Sequence, residues 1–290
     1  MAQTWKDILE LGGKYLAGRG VPESDIAMEL AMARLLRCGR GLLAPHLSEV
    51  PPERYVEAMR RAVARLAKGE PIQYVLGEWD FRSLTLKCDR RALIPRPETE
   101  ELVTRVLKFL KSHAQANPGA RPFVVDVGTG TGCIALSLAK EFPGPVYLGI
   151  DISEDAVALA NENAAKTGLA DCVRFAVGDG LDDFDEPQSV DVIVSNPPYI
   201  ATAECATLDP RIRLHEPMNA LDGGPEGLDF YERLAGDAMN LLKPGGAVFF
   251  EIGDRQGEAV RQLLFDCGFE SIAVEKDYAG HDRYASGVLP

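Results

Sequence analysis

The sequence is poor in the residues that build metal centres and disulfide frameworks. Its 290 residues include four histidines and six cysteines. Cys38, Cys88, Cys133, Cys172, Cys205 and Cys267 are scattered, with no CxxC pair and no histidine at ligand spacing. This argues against a zinc site and points to reduced, mostly buried thiols. No apolar run approaches the length that a membrane helix needs. The opening stretch, MAQTWKDILELGGKYLAG, carries Lys6, Asp7, Glu10 and Lys14 and lacks the apolar core of a signal peptide. A cytoplasmic protein with no membrane partner is expected. Positive charge is scarce too: 31 Lys and Arg stand against 44 Asp and Glu, a net charge of −13. Up to Glu70 the balance is eleven basic against nine acidic residues, so the whole acidic excess lies beyond it. Such a surface repels a phosphate backbone, and stable DNA binding by the larger part is not expected.

What remains is ordinary globular composition, 46% hydrophobic, with no internal repeat or low-complexity tract. From Thr4 to Lys68 apolar residues recur at helical spacing: Ile8, Leu11, Tyr15 and Leu16, then Ile26, Leu30, Ala33, Leu35 and Leu36. A third set, Tyr55, Val56, Met59, Val63 and Leu66, follows Pro51-Pro52. Residues 1–69 therefore read as a small helical bundle. Over residues 70–95 the period changes to that of a hairpin, with Tyr74, Leu76, Trp79 and Phe81 before Arg82-Ser83 and Leu84, Leu86 and Cys88 after it. From residue 96 on, an acidic helix start at Glu98, Thr99, Glu100 and Glu101 leads into alternating strands and helices. The strands are expected at 123–127, 146–151, 173–177, from Val190 to a stop at Asn196, and at 247–252, 272–276 and 284–288. That alternation implies an α/β fold with a doubly wound, mostly parallel sheet.

Two stretches carry chemistry. The first is the apolar strand ending in Ser195-Asn196-Pro197-Pro198-Tyr199. Neither proline can donate to a ladder, so the strand stops there and a stiff turn holds the Asn196 amide, the Pro197 carbonyl and the Tyr199 ring at its carboxyl end. In open α/β sheets that end is where ligands bind. A carboxamide and a carbonyl offer paired acceptors to a planar NH₂ group on whose plane an aromatic face can stack. The same text also fits a plain proline turn capped by Asn.

The second stretch is Asp126-Val127-Gly128-Thr129-Gly130-Thr131-Gly132, which follows a strand and opens a helix. A carboxylate at Asp126 repels a pyrophosphate but suits the ammonium and sulfonium of S-adenosylmethionine. The last glycine of the dinucleotide fingerprint is replaced by Cys133. Asp151, 23 positions past Gly128, is placed for ribose hydroxyls. Asp179, in VGDG, is placed to accept from an adenine amino group, and Asp-Gly is equally a turn.

Read in order, these motifs resemble the class I S-adenosylmethionine-dependent methyltransferases. More closely, the chain resembles the PrmC/HemK family, which methylates the glutamine of the Gly-Gly-Gln motif in peptide chain release factors. The resemblance runs nearly end to end, through EPIQYVLG, IPRPETEELV, DVGTGTGCIALSLA, SNPPYI, DGGPEGLDFY, LLKPGG, EIGDRQGEAV and DYAGHDRYASG. It implies a Rossmann-like seven-stranded sheet, S-adenosyl-L-methionine as methyl donor with S-adenosyl-L-homocysteine as product, and release factors as protein substrate; a monomer is expected.

The resemblance further implies that Gly128, Thr129, Gly130, Thr131 and Gly132 line the cofactor with Asp126. It gives Asp151 the ribose, borders the adenine with Asp179 and Gly180, and binds the glutamine amide by Asn196, Pro197, Pro198 and Tyr199. Glu98 and Thr99 fall in a motif near the transfer site. Relatives often carry an aromatic where Gly180 stands. Competing readings are an N6-adenine methyltransferase, a glutamine methyltransferase of a ribosomal protein, a non-catalytic binding module and a nicotinamide-dependent redox enzyme. The acidity of the larger part weighs against nucleic acid, and Asp126 against a dinucleotide.

Overall fold

A computed structural model describes residues 3–290. The chain divides into two compact units: residues up to Glu78 together with Asp209–His215, and Trp79–Leu208 together with Glu216–Pro290.

In the first unit, α1 (Trp5–Ala17), α2 (Ser24–Leu36) and α3 (Glu53–Leu66) surround a core that includes Trp5, Leu16, Met28, Met32, Met59 and Leu66. Thr4 starts α1 through a reciprocal cap. Its hydroxyl accepts from the Asp7 N–H at 3.3 Å while the Asp7 carboxylate accepts from the Thr4 N–H at 2.8 Å. The expected hairpin is only half right at this end. Tyr74 and Leu76 belong to a short helix, α4 (Ile72–Leu76), which starts after Pro71 and is closed by Gly77 at φ +75°. Pro71 at the helix entry and Gly77 in the left-handed region bound a single turn, which the alternating apolar residues disguise as strand.

The hairpin itself is β1 (Glu78–Phe81) and β2 (Leu84–Lys87), and Arg82 takes φ +52° in its turn. Arg82 is held there by the Glu100 carboxylate, which accepts its N–H at 2.9 Å, and by a two-pronged pair with Glu141.

The second unit continues with α5 (Pro97–Ala116), β3 (Phe123–Val127), α6 (Cys133–Glu141), β4 (Val146–Asp151), α7 (Glu154–Thr167), β5 (Val173–Val177) and β6 (Val190–Ser195). After the single turns α8 (Thr202–Cys205) and α9 (Pro210–Arg213, within the other unit) come α10 (Asp229–Leu241), β7 (Leu242–Glu251), α11 (Gly257–Asp266), β8 (Glu270–Lys276) and β9 (Asp282–Val288). The seven-stranded sheet runs β5-β4-β3-β6-β7-β9-β8. Its first five strands are parallel, and β9 pairs antiparallel with both β7 and β8. Apolar clusters cover both faces, which is why β6 is buried at every residue. β7 begins five residues earlier than expected. Val190 pairs with Leu242 and Val192 with Ala247, so Lys243-Pro244-Gly245-Gly246 is absorbed as an irregularity within the strand rather than preceding it.

The order reverses at β3, whose neighbours are β4 and β6, and chains leaving the carboxyl ends of β3 and β6 diverge there. In the register Val127 lies opposite both Ile150 and Ser195. The glycine stretch and Asn196 therefore leave adjacent strands at one level.

Candidate active site

A cavity of about 400 Å³ opens above these strand ends within the second unit, lined by Gly128 to Thr131, Asp151, Asp179, Gly180 and Asn196 to Pro198. The glycine loop is shaped from several sides. Gly128 and Gly130 have φ +70° and +56°, conformations only glycine adopts without strain. The Gly130 N–H donates to the Asp151 carboxylate at 2.9 Å, and the other carboxylate oxygen accepts from Ser153 N–H. From below, the buried Asn163 of α7 donates to the Thr131 carbonyl at 2.9 Å while pairing with the Lys87 backbone. Gly132 serves a different purpose. It does not line the cavity, and a Cβ there would stand 2.9 Å from the Phe175 ring.

Asp126 is likewise under the loop rather than on the cavity wall. Its carboxylate accepts from the Thr129 hydroxyl at 2.6 Å and the Ala135 N–H at 3.2 Å, and its Oδ1 is buried with no hydrogen-bond partner. Burial pushes this carboxyl up to about 7, with the neighbouring Asp151 adding to the rise, and burial raises Asp151 as well. The three arginines on the cavity wall are each occupied by acids: Arg91 by Asp89 and Glu162, Arg96 by Glu216, and Arg233 by Asp179 and Asp182. With these cations neutralised and two carboxyls destabilised by burial, the site suits a positively charged ligand. S-adenosylmethionine, an ammonium and a sulfonium on an adenosine, fits that chemistry, and a pyrophosphate does not.

Asp179 and Gly180 line one end of the cavity. Asp179 is engaged by Arg233, whose guanidinium donates to its carboxylate at 2.6 Å and to its carbonyl at 2.7 Å, and a side chain on Gly180 would meet that guanidinium. Phe230 on α10 also lines the cavity.

At the other end, Asn196 and Pro197 face the cavity together with Thr99, while Glu98 is exposed and supplies only its carbonyl, to the Tyr284 hydroxyl. Tyr199 is not on the cavity wall. Its ring packs against the core on one face of the sheet, and burial raises its hydroxyl to about 12. Its carbonyl accepts from Gln256 at 2.9 Å; the same side-chain amide donates to Gly227, and its oxygen accepts from Gly253 N–H. A Cβ on Gly223 or Gly227 would run into the Pro198-Tyr199 backbone. The DGGPEG and DRQG stretches thus clamp the proline turn.

Residues 7–77 match the PrmC N-terminal domain and residues 122–273 a methyltransferase domain. A release factor glutamine methyltransferase of Enterococcus faecalis is 39% identical over 98% of this chain and 99% of its own. One from Geobacter sulfurreducens is 38% identical over 99% and 97%, and a human one 36% identical over 92% and 82%. The chain belongs to the release factor glutamine methyltransferase family. Among solved structures, the catalytic domain of human METTL16 bound to an RNA hairpin superposes with a TM-score of 0.56 over 81% of both chains. Its N-terminal domain in complex with SAH gives 0.52 over 71% of this chain and 75% of its own. At 16% identity these show the fold alone.

In this family member, sequence reading missed Phe230, Arg233, Glu216, Gln256 and Glu251. Phe230 and Arg233 lie three apart on α10, facing the cavity together. Glu216, buried, accepts from the Ile94 N–H at 3.1 Å and from Arg96 at 2.6 Å and so holds the IPRP loop against the cavity.

Proposed function

We infer that the chain transfers a methyl group from S-adenosylmethionine to the side-chain amide nitrogen of the glutamine in the Gly-Gly-Gln motif of peptide chain release factors. The observation that carries this reading is the level register of Val127 and Ser195, which brings the glycine loop and the Asn196-Pro197 acceptors to one cavity.

The amide nitrogen of glutamine is a poor nucleophile because its lone pair is delocalised into the carbonyl. When bound, S-adenosylmethionine supplies a methyl carbon on a sulfonium, an electrophile whose leaving group is a neutral thioether. Asn196 Oδ1 and the Pro197 carbonyl accept the two N–H hydrogens and turn the nitrogen lone pair toward the methyl carbon. As the nitrogen becomes cationic those two bonds strengthen, so they stabilise the transition state more than the ground state. No strong base is needed, because transfer leaves the amide nitrogen cationic with both hydrogens, and that strongly acidic cation loses one proton to solvent afterwards. Asp151 takes the ribose hydroxyls. Asp126 braces the loop and presents negative potential to the cationic donor. Phe230 supplies the apolar wall for the adenine, in place of an aromatic at Gly180, and Asp179 with Arg233 closes that end.

No helix among the described residues is long and apolar enough to cross a membrane. We read the chain as a cytoplasmic monomer, and the acidic excess after Glu70 weighs against its retaining DNA. The helical unit is the candidate docking element for the release factor. Incubating the protein with purified release factors and methyl-labelled S-adenosylmethionine, then mapping the label by mass spectrometry, tests the reading. The label belongs on the Gly-Gly-Gln glutamine, and its absence or placement elsewhere refutes it.

A further inference from the structure

An asparagine side chain can sit in either of two orientations, related by a half-turn about its last bond, and only one presents the oxygen to a given side. Methyl transfer to an amide NH₂ requires that oxygen to face the substrate. Three residues from different elements bear on the choice. Asn196 Nδ2 donates to the Thr99 hydroxyl at 3.0 Å, and the Thr99 hydroxyl donates to the Glu251 carboxylate at 2.7 Å. Thr99 sits in the first turn of α5, Glu251 is the last residue of β7, and Asn196 directly follows β6. Ser195 pairs with Phe250, so Asn196 and Glu251 emerge side by side. Thr99, which borders the cavity, and Glu251 are only 2% and 1% exposed.

We propose that Thr99 and Glu251 are positioning residues that select the productive orientation of the Asn196 amide. This rests on the glutamine-methylation reading above. A hydroxyl has one hydrogen. When ionised, the Glu251 carboxylate is acceptor-only and takes that hydrogen, so that Thr99 offers Asn196 nothing but lone pairs. Only the NH₂ end of Asn196 can approach them, which leaves Oδ1 for the substrate. Glu251 never meets the glutamine; its effect is transmitted through one hydroxyl. The arrangement also accounts for a buried carboxylate beside the site that the transfer step does not otherwise use.

The test uses the full chain, a purified release factor and S-adenosylmethionine, with kcat, KM and cofactor affinity measured for each variant. Thr99→Val keeps the shape and removes the hydroxyl, and is expected to lower kcat by about tenfold or more with cofactor affinity unchanged. Thr99→Ser keeps the hydroxyl and should restore most of kcat. Glu251→Gln, nearly isosteric, can donate to Thr99 and so reverse the chain of donors. It should reduce kcat similarly without lowering the unfolding temperature at pH 7. In an Asn196→Ala background there is no amide left to orient, so adding Thr99→Val should cost nothing further.

If Thr99→Val and Glu251→Gln retain kcat within about twofold, or if the Thr99→Val loss multiplies undiminished onto Asn196→Ala, the proposal is overturned. A wild-type chain that leaves the release factor glutamine unlabelled would instead refute the underlying reading, so the two failures are distinguishable.

Discussion

Asn196 is the side chain whose removal should be felt most directly in turnover. In the proposed mechanism, replacing it by alanine takes away one of two acceptors for the glutamine NH₂, a bond that becomes charge-assisted as the transition state forms. A loss of roughly 1.5–3 kcal/mol is expected, or about 10- to 150-fold in kcat, with cofactor affinity little changed. Steady-state kinetics on a release factor substrate separate these quantities, and unchanged turnover would remove Asn196 from the mechanism. The glycines of the loop are not equivalent. Gly132, at φ +80° with the Phe175 ring against it, is required by packing. Gly132→Ala should therefore cost about 1–3 kcal/mol of stability, readable in thermal unfolding without ligand.

The proline turn owes its shape to two later segments more than to its own residues. Gln256 at the start of α11 donates to the Tyr199 and Gly227 carbonyls, and Gly223 and Gly227 pass so close to Pro198 and Tyr199 that no side chain fits. Gln256→Leu leaves two partly buried carbonyls without this donor. It should destabilise the fold by about 1–3 kcal/mol and lower methyl transfer more than cofactor binding; chemical denaturation and cofactor titration measure the two. If transfer and cofactor binding fall equally, the clamp does not act on the turn. The single helical turn at Ile72–Leu76 teaches the opposite lesson about short elements. Three alternating apolar residues, Ile72, Tyr74 and Leu76, fit a strand and one turn of helix equally, and the bounding Pro71 and Gly77 were the better guide.

Taken as a whole, the molecule carries two buried carboxyls that oppose folding at neutral pH. Asp126 and Glu251 titrate near 4 when unfolded and are both raised to about 7 by burial. The folded chain holds these protons more tightly than the unfolded chain. Their contribution is thus most favourable below about pH 4 and is lost as pH rises through about 7. Glu162 acts the other way. Bonds from Arg91 and Lys87 lower it to about 2, so its contribution is present above about 4.5 and is lost as pH falls toward 2. Unfolding by urea across pH 4.5–8 should show a flatter profile for Glu251→Gln than for the wild type; an unaltered profile would mean that Glu251 is ionised as readily as in water.

The helical start, the alternating strands, the glycine loop and the Asn-Pro-Pro-Tyr corner could all be read from residue order, because each depends on periodicity, on proline's missing N–H or on glycine's freedom at positive φ. Those are properties of neighbours along the chain. Which face of Asn196 meets the substrate, why Asp126 lies beneath the loop, and why Tyr199 turns inward depend on Thr99, Ala135, Glu251 and Gln256. Ala135 lies only nine positions from Asp126, but Thr99, Glu251 and Gln256 meet partners 57 or more positions away only when the strands pair in register, and no local pattern encodes a hydrogen bond between partners that far removed.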